Sequence, residues 1–198
     1  MNGSNGRVTR INSFALVSYL PGPLAGLLDE IRHDFAPESR AKAHVTILPP
    51  RPLLQIPGEA SDTAVAEAAG EAMEQLKVRL QEFPPFKVDL GAIEIFEGTH
   101  VIYVSIQNGF AELERMHSAL NTGRVAFQEP YPYHPHVTIA QELAPEDVHN
   151  AAQFARWRWS EFKHSRSAWI DRLTFVQNTL ENYWTDLAML NLGSPVIR

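Results

Sequence analysis

The sequence predicts an α+β fold with largely antiparallel sheets, arranged in two similar halves. Three observations lead there. The tetrapeptide HVTI occurs at residues 44–47 and again at 136–139. The copies lie 136 − 44 = 92 residues apart, too far for a solenoid repeat and suited to a duplicated half-domain. Around each copy, strand-like and helix-like segments follow a similar order, with strands joined by hairpin chemistry rather than by βαβ crossovers.

Taken in order, INSFALVSYL (11–20) reads as a buried strand that PGP then breaks. An amphipathic helix follows from about Leu24 to Phe35. The next strand carries the first HVTI and is expected to end at Pro49-Pro50. The Ala/Glu/Gln-rich stretch from Ser61 to Phe83 is a helix, with Ser61 or Asp62 as its N-cap and FPPF as its stop. Its acidic residues Glu67, Glu71 and Glu74 read as a solvated outer face. FKVDLGAIEIF and HVIYVSIQ are strands separated by EGT, and FAELERMHSALNTG is a helix closed by Gly123. After the second HVTI strand, APEDVHNAAQFARW looks helical, and AWIDRLTFVQNT and YWTDLAMLNL form a closing pair of strands.

Composition narrows the possible functions. A chain of 198 residues with 44% hydrophobic content fills one core, or two small lobes sharing one. We therefore expect a flexible N-terminus at residues 1–10 and a single domain of two pseudo-symmetric lobes over 11–198. A net charge of −6 argues against tight, sequence-independent binding to long nucleic acid, but permits contact with a single phosphate. The absence of cysteine removes disulfides, thiolate nucleophiles and Cys-based zinc sites. The start MNGSNGRVTR is polar, and FALVSYL is too short for a signal core or a membrane span. A soluble, cytoplasmic monomer is the expectation.

In a strand, residues i and i+2 share a face, so His44 and Thr46 point one way while Val45 and Ile47 point the other. His136 and Thr138 repeat that arrangement. If the halves face each other, four polar groups converge. Two imidazoles straddling one phosphorus can transfer a phosphodiester without a metal: one deprotonates the incoming oxygen while its partner protonates the leaving oxygen. Threonine hydroxyls would donate to the non-bridging oxygens, where charge builds.

The paired H-x-T motifs resemble the 2H phosphoesterase superfamily, which includes bacterial 2′-5′ RNA ligase and cyclic phosphodiesterase proteins. The likeness extends to HPHVTIAQEL with its acidic helix and to the ending LTFVQNTLENYWTDLAMLNL, similar to small bacterial members, and covers the chain from about Ile11. The resemblance implies two antiparallel sheets lining a V-shaped cleft with helices outside. It also implies cofactor-free chemistry on 2′,3′-cyclic or 2′-5′ phosphodiesters, with an RNA end or nucleotide cyclic phosphate as substrate. By the motif match, His44, Thr46, His136 and Thr138 take the catalytic and phosphate-binding roles. The motifs are alike and do not tell acid from base; His136 is expected to be the base. The chain departs from many RNA-processing members, which carry an arginine shortly after the second motif. Here Gln141 stands there, and Arg51 follows the first motif only after two prolines.

Strand parity also places Lys42 and His134 on the cleft face as substrate-binding candidates. His134-Pro135-His136 has a spacing that zinc ligands use as well, so a metal-dependent hydrolase on His134 and His136 is a rival, with His149 or His164 as the third ligand. A catalytically silent nucleotide or RNA-end binding protein with the same cleft is the other rival. ARWRWSEFKHSR (155–166) interleaves Arg156, Arg158, Lys163 and Arg166 with Trp157, Trp159 and Phe162, either as a nucleic-acid contact or as core aromatics beside exposed charges.

Overall fold

Two four-stranded antiparallel sheets and four helices make up the α+β fold of the computed structural model, which describes residues 10–54 and 61–194. The segment expected to be loose, residues 1–10, lies outside the described residues except for Arg10. The strands are β1 (Arg10–Tyr19), β2 (His44–Arg51), β3 (Phe86–Ile95), β4 (Ile102–Asn108), β5 (His136–Ala140), β6 (Ser167–Ile170), β7 (Arg172–Thr179) and β8 (Trp184–Asn191). The helices are α1 (Gly22–Phe35), α2 (Asp62–Leu80), α3 (Phe110–Leu120) and α4 (Val148–Glu161). Strand order is β2-β1-β7-β8 in the first sheet and β5-β4-β3-β6 in the second.

Both motif strands are therefore sheet edges. That explains how β2 runs on through Pro49 and Pro50 to Arg51 instead of ending at the prolines: an edge strand tolerates a residue that cannot donate a ladder hydrogen bond. The sheets also do not divide where the sequence halves do. AWIDRLTFVQNT, read as one strand, splits at Asp171, so that β6 pairs with β3 in the second sheet while β7 pairs with β1 in the first. The first half thus gives β3 to the second sheet, beside β4, and the end of the chain gives β7 and β8 to the first sheet, with β7 beside β1.

One core serves both lobes. Val45 and Ile47 on β2, and Val137 and Ile139 on β5, are fully buried in the same cluster as Leu28 and Ile31 of α1 and Leu113 and Met116 of α3. Phe14 and Phe175 stack across β1 and β7 at 5.5 Å between ring centroids. α2 is capped by Ser61, whose hydroxyl accepts from the Ala64 amide at 3.2 Å, and Glu67, Glu71 and Glu74 are exposed as expected. α3 starts at Gly109, where φ is +84° and a Cβ would stand 2.8 Å from the Lys87 carbonyl oxygen, so only glycine lets β4 turn into the helix there. It ends at Leu120 rather than at Gly123, because Asn121 leaves the helix to bond the Phe127 amide and carbonyl and anchor the following loop.

Candidate active site

His44 and Thr46 on β2, and His136 and Thr138 on β5, are partly exposed, while the residues between and after them are buried. The alternation is the one that period-2 geometry demands. β2 and β5 lie against each other where the two sheets meet, which brings the two motifs together. The proximity is electrostatic as well as spatial. A proton on His136 disfavours one on His44.

Each imidazole is oriented in the same way. His44 Nδ1 lies 2.6 Å from the Lys42 carbonyl, and His136 Nδ1 lies 2.6 Å from the His134 carbonyl. A carbonyl only accepts, so Nδ1 carries the hydrogen and Nε2 is the ring nitrogen left to take up or release a proton. Burial pushes the His44 pKa below the usual histidine value, and the charges of Arg32 and His136 push the same way against the Lys42 carbonyl. His136 is lowered too, by burial first, against the hydrogen bond to the His134 carbonyl and with the charge of the His134 ring.

Behind the cleft, side chains tie each motif to the other. Arg32 on α1 is 7% exposed and donates to the Thr138 carbonyl through Nη2 and to the Ala41 carbonyl through Nη1, both at 2.8 Å. Tyr133, just ahead of the second motif, donates through Oη to the Thr46 carbonyl at 2.7 Å. Its ring stacks on His117 of α3 at 3.9 Å, and His117 donates from Nδ1 to the Ile47 carbonyl at 2.8 Å. Arg51 completes this layer. It is 2% exposed and donates to Asn121, the Val125 carbonyl and Glu129, so it braces the loop after α3 rather than facing a phosphate.

The two walls differ. Beside His44, Lys42 lies 5.1 Å over the Tyr19 ring and 3.9 Å from Asp186, which accepts a hydrogen bond from Tyr19 Oη. Beside His136, Phe96 stacks on Tyr103 at 3.8 Å, and His134 stands edge-on to Phe96 and Phe110 at 5.3 and 5.2 Å.

A sequence model described as the 2′-5′ RNA ligase superfamily matches residues 20–182, a span that holds both motif strands. The chain belongs to that superfamily. A protein of Oceanobacillus iheyensis named as a candidate phosphoesterase is 25% identical over 149 residues, covering 75% of this chain and 82% of the relative. One from Geobacillus kaustophilus with the same designation is 29% identical over 155 residues, covering 77% and 84%. Among solved structures, Escherichia coli LigT in apo form superposes with a TM-score of 0.58 at 15% identity, covering 94% of this chain and all of LigT. A protein of Thermus thermophilus gives 0.59 at 18% identity, covering 92% and 98%. At these identities the structural likeness carries the fold.

For this member of the 2′-5′ RNA ligase superfamily, strand parity located all four motif residues and put Lys42 and His134 beside them, both exposed. His134 and His136 have ring centroids 6.5 Å apart, and among the described residues no third His, Asp or Glu joins them in a ligand-like group. The Arg/Trp segment is the end of α4 and the loop after it. Arg158 pairs with Glu30 and Asp34 at 2.7 and 3.0 Å, Arg156 donates to the Ile93 carbonyl, and Arg166 donates to the Trp159 carbonyl and covers its ring. These arginines hold α4 to α1 and to the second sheet. Arg32, Tyr133, Tyr19 and Phe96 escaped the sequence reading because each acts across elements distant in the chain. No helix among the described residues is long and apolar enough to cross a membrane.

Proposed function

We propose that the protein opens a 2′,3′-cyclic phosphodiester at an RNA or nucleotide end and gives a phosphomonoester. The observation that carries this reading is the pair of imidazoles on facing edge strands, each with Nδ1 tied to a carbonyl and Nε2 free. His136 takes a proton from water as the water oxygen attacks phosphorus. The bond from phosphorus to one ribose oxygen breaks, and His44 gives that oxygen a proton, so charge and protons balance. Thr46 and Thr138 donate to the non-bridging oxygens. Lys42 and His134 bind the flanks of the substrate. LigT has been crystallised with 3′-AMP and with phosphate, ligands that carry the phosphate group this reading requires.

The test is turnover of a panel of nucleoside 2′,3′-cyclic phosphates and 2′-5′ dinucleotides in the presence of EDTA, with product isomers resolved. We expect ring opening that survives chelation. Binding without turnover would leave a silent binding protein, and activity lost on chelation and restored by zinc would favour the metal hydrolase.

A further inference from the structure

We propose that Arg32 is a positioning residue that sets the spacing between His44 and His136, by holding the approach to one motif and the backbone of the other at once. The inference deepens the proposed two-histidine reading and rests on it. Arg32 sits on the buried face of α1 with Leu28 and Ile31, on the same helix that links β1 to the first motif. Its two terminal nitrogens diverge. Nη1 reaches the carbonyl of Ala41, three residues before His44, and Nη2 reaches the carbonyl of Thr138, inside the second motif. Asp29 holds the guanidinium in place at 2.8 Å from Nη1.

The approach to the second motif carries a counterpart. Tyr133, three residues before His136, donates to the carbonyl of Thr46, inside the first motif. The carbonyl of each motif threonine is thus held by a side chain fastened at the approach to the other motif. The shared pattern has unequal parts, because Tyr133 offers one donor whereas Arg32 spans two acceptors with a rigid planar fork. A lysine has no such fork and would leave one of the two carbonyls without its partner. A slack brace would move one imidazole relative to the other, and displacement of about 1 Å costs on the order of 10²-fold in rate.

Arg32 is also close enough for its charge to act on His44. It and Asp29 face His44 from α1, His136 faces it from β5, Lys42 precedes it, and Tyr19, bonded to Asp186, lies beside it on β1. Removing the Arg32 charge removes a repulsion on the His44 imidazolium, so the His44 pKa rises.

The experiment compares Arg32→Lys with Arg32→Gln. Both should lower kcat per folded molecule by about 10- to 100-fold with KM nearly unchanged, because Arg32 is buried away from the substrate. In Arg32→Gln the alkaline limb of the rate profile should move to higher pH, since His44, as the acid, stays protonated further up. In Arg32→Lys the limbs should stay. NMR titration of the His44 ring needs no turnover and should show the same upward shift in the Gln variant alone. A wild-type kcat per folded molecule in both variants, or a His44 titration unmoved in Arg32→Gln, would overturn the proposal. An inactive wild type with the His44 shift intact would instead count against the proposed reaction.

Discussion

The two walls of the cleft carry the same four residues and are otherwise unlike. Two positions before His44 stands Lys42, set over Tyr19 and near Asp186. Two positions before His136 stands His134, among Phe96, Tyr103 and Phe110. One wall is charged and the other is aromatic. The two walls share an imidazole and a hydroxyl, the pair that the proposed reaction needs on both sides of a phosphorus. They differ in the flanks, which in that reaction would meet the unlike parts of a substrate. A cation holds a phosphate through charge, whereas ring faces hold a base through stacking.

The sharpest way to break the comparison is to ask whether the two histidines are equal. His44→Ala and His136→Ala should each lower turnover by about 10² to 10⁴ fold, the usual worth of one acid or base. The double variant should be little worse than either single, because the two groups act in one step. Melting temperatures should barely change, as both rings face the cleft; a large drop in either would make that histidine structural.

The threonines come next. Thr46→Val and Thr138→Val keep the branched shape and remove the donor, at an expected cost of roughly 10 to 10³ fold each. Full activity in both would mean that other groups hold the phosphate oxygens.

The flanks should then differ in kind. Lys42→Ala should raise KM by up to about 10-fold, with an effect that fades as salt screens the charge. Loss of Phe96 should be insensitive to salt and should weaken only substrates that carry a base, by the ~1–3 kcal/mol that stacking supplies. His134→Ala should alter KM and leave kcat. Identical salt responses for Lys42→Ala and Phe96→Ala would erase the distinction between the walls.

The smallest effect concerns pH. Both histidines have their folded-state pKa lowered by burial, so the bell of kcat/KM, which reports the free enzyme, should be centred on the acid side of about 6.5. The same shifts link to stability. Below about 6.5 the unfolded chain takes up protons first, so stability held at neutral pH is lost as pH falls toward the depressed folded values. Denaturant titrations at a series of pH values should show that slope, and it should shrink in the histidine-to-alanine variants.

The sequence by itself determined which residues share a face. Alternation in HVTI is local geometry, so His44, Thr46, His136 and Thr138 could be set against a buried Val/Ile pair without knowledge of the fold. The repeat and the Ser61 cap of α2 were legible for the same reason, whereas the end of α3 was not, since Asn121 leaves the helix to bond Phe127. Tertiary structure alone decided which sheet each strand joins, since β6 and β7 are neighbours in the chain and belong to different sheets. It also decided what holds the motifs at their working distance. Arg32 lies 106 residues from Thr138, and Tyr133 lies 87 from Thr46. Nothing in the local pattern of an arginine on a helix or a tyrosine in a loop marks it as the partner of a distant carbonyl. A side chain's local direction follows from the backbone it stands on, but its partner follows from how elements pack, and packing is a property of the whole chain.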